Sequence, residues 1–173
     1  MSGLGLAQPI VTLSEAQGFV RVETGEEEAI LAGLVRTASA LCEAFLNQVV
    51  IARDFTEELA ASASWQKLRL SPVRAISEVA GSDGSALPQT SYATDIDTIG
   101  DGWVRIADPA GFDRLRVSGS AGMAVLEHDV PEPIRHGVLR LVAHLYASRD
   151  GRGDDPPAAV TALWRPYRKV RLA

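Results

Sequence analysis

The longest regular pattern in the chain covers residues 26–47, which read EEEAILAGLVRTASALCEAFLN. Its apolar residues recur at spacings of three, four and one, the pattern of a helix with one buried face. They are Ile30, Leu31, Leu34, Val35, Ala38, Leu41, Cys42, Phe45 and Leu46. Acidic residues at 23 and 26–28 precede them, and carboxylates in a first turn complement the positive end of the helix dipole. The pattern therefore predicts an amphipathic helix of about 20 residues, roughly 30 Å long.

Shorter helices are predicted at both ends of the chain. Thr12 and Glu15 have the spacing of a capping box, which starts a helix from Leu13 to about Val20. Asp129 is expected to cap a third helix, and Pro131 sits where a missing amide costs nothing. The apolar face of that helix comprises Ile134, Val138, Leu141, Val142, Leu145 and Tyr146. A last helix runs from about Ala158 to Trp164 and must end by Arg165, because Pro166 follows.

The middle of the chain changes to strands. Strand-like stretches begin near Val49 and continue at 65–70, 75–80, 90–96, 103–106 and 114–119. Tight turns separate them at 81–85 and 100–102, where Asp-Gly pairs supply the positive φ angles that such turns need. The sequence therefore predicts an α+β fold, in which the two ends form a helical bundle and a small antiparallel β meander is inserted between them.

Length and composition predict one domain. A chain of 173 residues can bury a sizeable core without covalent crosslinks. The net charge of −5 disfavours a free-standing nucleic-acid binder, since such binders must neutralise phosphates. The longest apolar runs are a few residues, so no membrane span is expected. We predict a single domain over residues 1–173, with a loose N-terminal arm (1–11) and a basic C-terminal docking tail (165–173).

No catalytic, cofactor or metal site is predicted. The single cysteine, Cys42, lies on an apolar helix face and is expected to be a core residue. His136 and His144 are eight residues apart, too far to share a metal ion on one helix. Asp95 and Asp97 share a strand face without further ligands nearby in sequence. The chain also lacks phosphate-loop and nucleophile-elbow motifs. We expect no enzyme activity, and an enzyme whose ligands converge from distant positions is kept as an alternative.

The C-terminal segment is unusual for an acidic chain. Its last nine residues contain Arg165, Arg168, Lys169 and Arg171, with no acidic residue among them, and Trp164 and Tyr167 lie beside these cations. One interpretation is a solubilising terminus. Another is a tail that docks on an acidic groove of another subunit, where the aromatic rings contribute burial and the cations set orientation. Nucleic-acid binding is a third.

The order of these elements resembles the head-tail connector (adaptor) proteins of tailed bacteriophages and gene transfer agents. The stretches that carry the resemblance are 11–16 (VTLSEA), 26–28 with 44–47 (EEE, AFLN), 68–73 (LRLSPV), 76–77 with 83–84 (IS, DG), 130–135 (VPEPIR), 139–146 (LRLVAHLY) and 162–168 (ALWRPYR). The resemblance covers residues 11 to 168. Two features depart from the family pattern: Ser71 stands where a second proline is common, and the loop at 149–157 is rich in glycine and acidic residues.

The resemblance implies a structural role without a cofactor. Family members form a ring, typically of twelve copies, beneath the portal, extend the DNA channel and support a stopper or tail protein. The implied location is the neck of a phage-like particle assembled in the bacterial cytoplasm, where DNA passes without sequence-specific binding. The family's C-terminal segment commonly reaches the portal. The matching positions here are Trp164, Arg165, Tyr167, Arg168, Lys169 and Arg171. A neck or tail-completion protein below the adaptor is the alternative.

Overall fold

The chain folds into two compact units. The computed structural model describes residues 3–4 (backbone only), 6–22, 25, 27–108, 110–148 and 156–170. The helical unit comprises residues 7–51 and 124–173, so it is built from both ends of the chain. The β unit comprises residues 1–6 and 52–123. Helices and antiparallel sheets are thus segregated along the chain, which confirms the predicted α+β class.

The described part of the helical unit contains four α-helices. They are α1 (Leu13–Val20), α2 (Glu28–Leu46), α3 (Glu132–Ala147) and α4 (Ala158–Trp164). The helix α2 packs against the other three, and α3 also packs against α1 and α4. The N-terminal and C-terminal helices therefore share one core. Ile10 and Val11, which lie within the predicted arm, are buried in this unit.

The capping box predicted for α1 is present. The Thr12 hydroxyl accepts a hydrogen bond from the Glu15 amide, and the Glu15 carboxylate accepts one from the Thr12 amide at 2.8 Å. The same carboxylate pairs with Arg135 on α3, so one residue both caps α1 and ties it to a neighbouring helix. Partial burial acts to raise the pKa of Glu15, but the Thr12 hydrogen bonds and the Arg135 charge hold it below its usual value.

The helix α2 is the core of this unit. It buries Leu31, Val35, Ala38, Ser39, Cys42 and Leu46, while Ile30 near its start is half exposed. By length and composition alone, α2 is also the single described helix that could cross a membrane. A core helix of a folded domain meets the same criterion, and the buried face of α2 packs against α1, α3 and α4.

The start of α3 differs from the prediction. Asp129 does not cap the helix, because it lies in a 3₁₀ turn over Glu127–Asp129. The N-cap is Pro131 and no side chain caps there. Pro133 takes an early helical position, where the absent amide hydrogen leaves no intrahelical bond unmade. The chain therefore starts α3 by the restricted backbone of two prolines instead of by a carboxylate cap.

Among the residues that the structure describes, the β unit contains seven strands. They are β1 (Gly3–Leu4), β2 (Arg53–Ala60), β3 (Gln66–Lys67), β4 (Val73–Gly81), β5 (Tyr92–Ile96), β6 (Gly102–Ile106) and β7 (Arg114–Ala121). They form two antiparallel sheets, one in the order β1-β2-β7-β4 and one in the order β3-β6-β5. This differs from the single meander predicted. After β4 the chain turns at Gly81–Ser85 and enters a 3₁₀ turn at Gln89–Ser91, so β5 starts a separate sheet.

The last strand of this unit, β7, lies between β2 and β4 in the larger sheet. Residues of β7 pair with β2 on one side and with β4 on the other. Gly119 lies at its centre, and a Cβ atom there would stand 2.2 Å from the Ala75 carbonyl oxygen and 3.1 Å from the Phe55 ring. Only glycine fits between these two neighbours, so the close pairing of β4 with β7 depends on that residue.

We predict that Gly119→Ala destabilises the protein by about 1–3 kcal/mol, because the added methyl group must push a backbone carbonyl aside. Urea unfolding followed by circular dichroism measures this. Gly18→Ala is the matched control, since Gly18 is exposed on α1 and its Cβ position is open. Alanine is favoured over glycine within a helix by about 1 kcal/mol, so that variant should be at least as stable as the parent. Equal stability of parent and Gly119→Ala would contradict the packing argument.

Glu15 makes stability depend on pH. Since its pKa in the folded protein lies below the unfolded value near 4.5, it stabilises the fold above that pH, and the contribution is lost as pH falls through the folded pKa. Glu15→Gln should therefore show a smaller decline in Tm between neutral and acidic pH than the parent. Differential scanning calorimetry across that range provides the test, and parallel curves for the two proteins would contradict it.

Candidate docking surface

Trp164 anchors the C-terminal segment to the core. Its indole is fully buried, and Nε1 donates a hydrogen bond to the Ile134 carbonyl at 3.1 Å. The ring lies 5.8 Å from that of Phe45 and packs on Gly137, where a Cβ would come within 2.1 Å of Nε1. Trp164, predicted as a docking residue, lies in the core of the helical unit in this structure and fixes where the following segment begins.

The segment after Trp164 is fastened to the end of α2. The Lys169 amide donates to the Leu46 carbonyl at 2.9 Å. The side chain of Asn47 donates to the Lys169 carbonyl at 3.3 Å, and that of Gln48 donates to the Tyr167 carbonyl. The last carbonyls of a helix lack intrahelical partners, so Lys169 satisfies a group that α2 leaves open. Asn47 is left-handed (φ 55°), which ends α2, and its backbone amide donates to the Glu43 carbonyl.

The cations of the segment gather at this same helix end. Arg168 is exposed and lies over the Phe45 ring, 5.4 Å from its centroid. Arg165 is exposed, while Tyr167 and Lys169 are half buried. The carboxyl end of a helix carries partial negative charge, which favours cations there. Arg171 lies outside the described residues.

A shallow cavity lies between α2 and the segment. It has a volume of about 400 Å³ and is lined by Ala44, Asn47, Arg168, Lys169 and Val170. Val170 is 74% exposed at its rim. We call the exposed parts of Arg165, Tyr167, Arg168, Lys169 and Val170 the tail surface. It offers cationic groups around an apolar side chain, a combination that fits an acidic protein segment with an apolar anchor.

Sequence reasoning missed the residues that position this surface. Phe45, Asn47 and Gln48 hold the segment, yet they lie more than a hundred residues before it. Asn47 gave the one available signal, since asparagine tolerates the left-handed conformation at a helix end. Its partner in the C-terminal segment could not be read from that signal.

The residues considered for catalysis do not assemble. Asp95 is exposed on β5, whereas the Asp97 carboxylate accepts hydrogen bonds from the Trp103 indole and from two loop amides. His136 contacts the Phe19 ring, 5.9 Å between centroids. Across the described ranges, no three histidine, cysteine or acidic side chains come together to hold a metal ion. Burial raises the pKa of the Cys42 thiol, with a smaller effect of Glu43, so that the thiol stays protonated.

The acidic start of α2 is engaged within the chain. Glu27 accepts a hydrogen bond from the Tyr146 hydroxyl, and Glu28 accepts one from Gln17 at 3.2 Å. Glu23 and Glu26 lie outside the described residues. These two described carboxylates therefore join α2 to α3 and α1.

We predict that Asn47→Gly combined with Gln48→Ala loosens the tail without unfolding the core. Glycine keeps the left-handed turn, while two hydrogen bonds of about 1 kcal/mol each are lost, which raises transient opening about fivefold per bond. Limited trypsin digestion, read by mass spectrometry after Arg168 and Lys169, measures the opening. Gln17→Ala, which removes a hydrogen bond at the other end of α2, is the control. Unchanged cleavage in the double variant would show that the tail is held by other contacts.

Comparison with known proteins shows which proteins share this fold. No family model matches the chain, and no curated protein matches it. Among the solved structures that match the chain, three cover its full length with TM-scores of 0.76, 0.78 and 0.74. Their descriptions are the neck of an empty gene transfer agent (GTA) particle computed with C6 symmetry, the virion of a native GTA particle, and the neck of a native GTA particle computed with C12 symmetry. The sequence identities are 22%, 22% and 19%, and 97%, 97% and 96% of the matched chains are covered. The chain therefore has the fold of a GTA neck protein, as the resemblance led us to expect.

Proposed function

We propose that this chain is a structural adaptor that forms a ring of twelve copies in the neck of a phage-like particle. The ring joins the portal to the stopper or tail and extends the DNA channel. The observation that carries this proposal is the fold shared, over the whole length, with chains of GTA particles, one of them in a neck computed with C12 symmetry. The assembly takes place in the bacterial cytoplasm and uses no membrane, cofactor or enzymatic step.

The net charge supports passage of DNA through such a ring. The chain carries −5, and an acidic channel lets a duplex slide, whereas a basic lining would bind its phosphates. DNA contact in this proposal is therefore transient and independent of base sequence.

The tail surface supports contact with the portal. It is preformed on the end of α2, so docking costs less ordering entropy than docking of a free tail. Its exposed cations, Arg165 and Arg168, would set orientation against an acidic portal segment. Val170 would supply apolar burial. Trp164 contributes indirectly, because its burial in the core fixes where the tail surface begins.

We predict that deletion of residues 165–173 lowers the amount of this chain and of tails in purified particles. Arg165→Glu combined with Arg168→Glu should do the same, since charge reversal replaces the attraction to an acidic portal segment with repulsion and leaves the backbone hydrogen bonds to α2 in place. The measurement is an immunoblot of density-purified particles together with counting of tails by electron microscopy.

Arg36→Glu is the control, because Arg36 is an exposed arginine on α2, away from its carboxyl end. Wild-type levels of chain and tails in both altered proteins would refute the portal anchor. Crosslinks from the tail surface to a tail protein alone would favour the neck or tail-completion alternative. Absence of the chain from the collar of the particles would refute the adaptor itself.

A further inference from the structure

We propose that neighbouring copies contact each other head to tail through opposite ends of the β unit. In this contact, the β5–β6 hairpin of one copy places Ile99 in a cavity at the far end of β7 of the next copy. The inference rests on the proposed ring and identifies the surfaces that build it.

The hairpin presents an exposed apolar side chain on a braced loop. Ile99 is 66% exposed at the loop, and Ile96 at the end of β5 is 38% exposed. The Asp97 carboxylate accepts hydrogen bonds from the amides of Ile99 at 3.0 Å and Asp101 at 2.8 Å, and from the Trp103 indole at 3.1 Å. A loop already held in one conformation loses little entropy when it binds. The exposed Ile99 side chain is therefore available for contact with a neighbouring copy and contributes little to the core of the β unit.

A second set of contacts fixes the hairpin to β3 and to the start of β4. The Asp101 carboxylate is 3% exposed and pairs with Lys67 of β3. Lys67 also lies 5.9 Å from the Trp103 ring centroid. The adjacent Gly100 accepts a hydrogen bond from the Val73 amide at 2.8 Å, which fixes the hairpin to the start of β4.

The complementary feature is a small cavity beside Leu115. It has a volume of about 80 Å³ and is lined by Glu58, Ser82, Arg114, Leu115 and Arg116. Its wall is mostly carbon, with buried Leu115 among the lining residues. One water needs about 10–15 Å³ of such space, so the cavity holds more than a single water, and its apolar wall is suited to an aliphatic side chain.

The charges of the two ends are complementary. The hairpin, Tyr92–Ile106, contains three aspartates and one cation, Arg105, whose guanidinium lies over the Trp65 ring. The cavity is flanked by Arg114 and Arg116, both exposed, and Arg114 pairs with Glu58 at 3.9 Å. Arginine stems cover apolar surface while their guanidinium groups attract carboxylates. The exposed Asp95 is the carboxylate best placed on the hairpin for such a contact.

The hairpin loop and the cavity lie beside opposite ends of the larger sheet. Val73, to which Gly100 is bonded, pairs with Ala121 at the end of β7. Leu115 lies six residues earlier on the same strand, a separation of about 20 Å at the usual rise of a β-strand. A surface and its complement at opposite ends of one body give a heterologous contact, which repeats from copy to copy and closes into a ring when the rotation permits.

A cysteine pair tests the contact. Ile99→Cys and Ser82→Cys place thiols on the hairpin and at the cavity, and the native Cys42 is fully buried. A tagged full-length chain with both changes is crosslinked with a short bis-maleimide in the producing cells and blotted. We expect a ladder of dimers, trimers and larger multimers from the double variant and only monomer from each single variant. No ladder, or a dimer from Ile99→Cys alone, would overturn the proposal.

A charge exchange tests the polar part of the contact in the same assay. Asp95→Arg and Arg116→Asp should each weaken the ladder of the cysteine pair, and the two together should restore it, because the exchanged charges attract again. Circular dichroism of each variant confirms that it folds. Failure of the combined variant to recover the ladder would contradict the predicted pairing.

The location of the ladder separates this inference from the proposed function. A ladder in purified particles supports both. A ladder found only outside particles supports the head-to-tail contact and refutes the neck role. Particles that contain the chain but give no ladder support the neck role and refute the contact.

Discussion

The helical unit depends on the packing of Trp164 against Gly137. This contact brings α4 close to α3, and the neighbouring Phe45 ring joins α2 to the same cluster. The buried indole also donates its N–H to the Ile134 carbonyl, so this polar group is not left unpaired in the core. Burial of an aromatic side chain of this size contributes several kcal/mol, which is a large part of the stability of a domain. Residues from both ends of the chain are thereby held in one core, and the β unit is an insertion between them.

Local signals in the sequence predicted the elements well. The capping box of Thr12 and Glu15 and the long apolar stripe of α2 each report on neighbouring residues, and both are present as expected. Asp129 failed as a cap because prolines 131 and 133 could start α3 without one. Strand positions were readable in part, because the stretch at 65–70 pairs only over Gln66–Lys67, and strand order was not readable. The place of β7 between β2 and β4 depends on the fit of Gly119 against Ala75, a contact between residues far apart in sequence.

The sequence predicted which residue types form the candidate docking surface, but it did not predict the contacts that hold them in place. The run of cations beside aromatic residues is visible in the sequence, yet the residues of this run have different roles in the structure. Trp164 belongs to the core, Arg165 and Arg168 face solvent, and the Lys169 backbone completes the end of α2. The residues that hold the segment, Asn47 and Gln48, carry no charge pattern that would link them to it. Long-range hydrogen bonds of this kind leave no periodicity in a sequence.

The arrangement of the chain also bears on its synthesis. The helical unit needs α3 and α4, and the larger sheet needs β7, so neither unit can close while the first half of the chain leaves the ribosome. A chain cut short by premature termination would expose the unpaired edges of β2 and β4 and the apolar stripe of α2, features that favour aggregation and removal by proteases. A fragment that lacks β7, α3 and α4 therefore can complete neither the larger sheet nor the helical core.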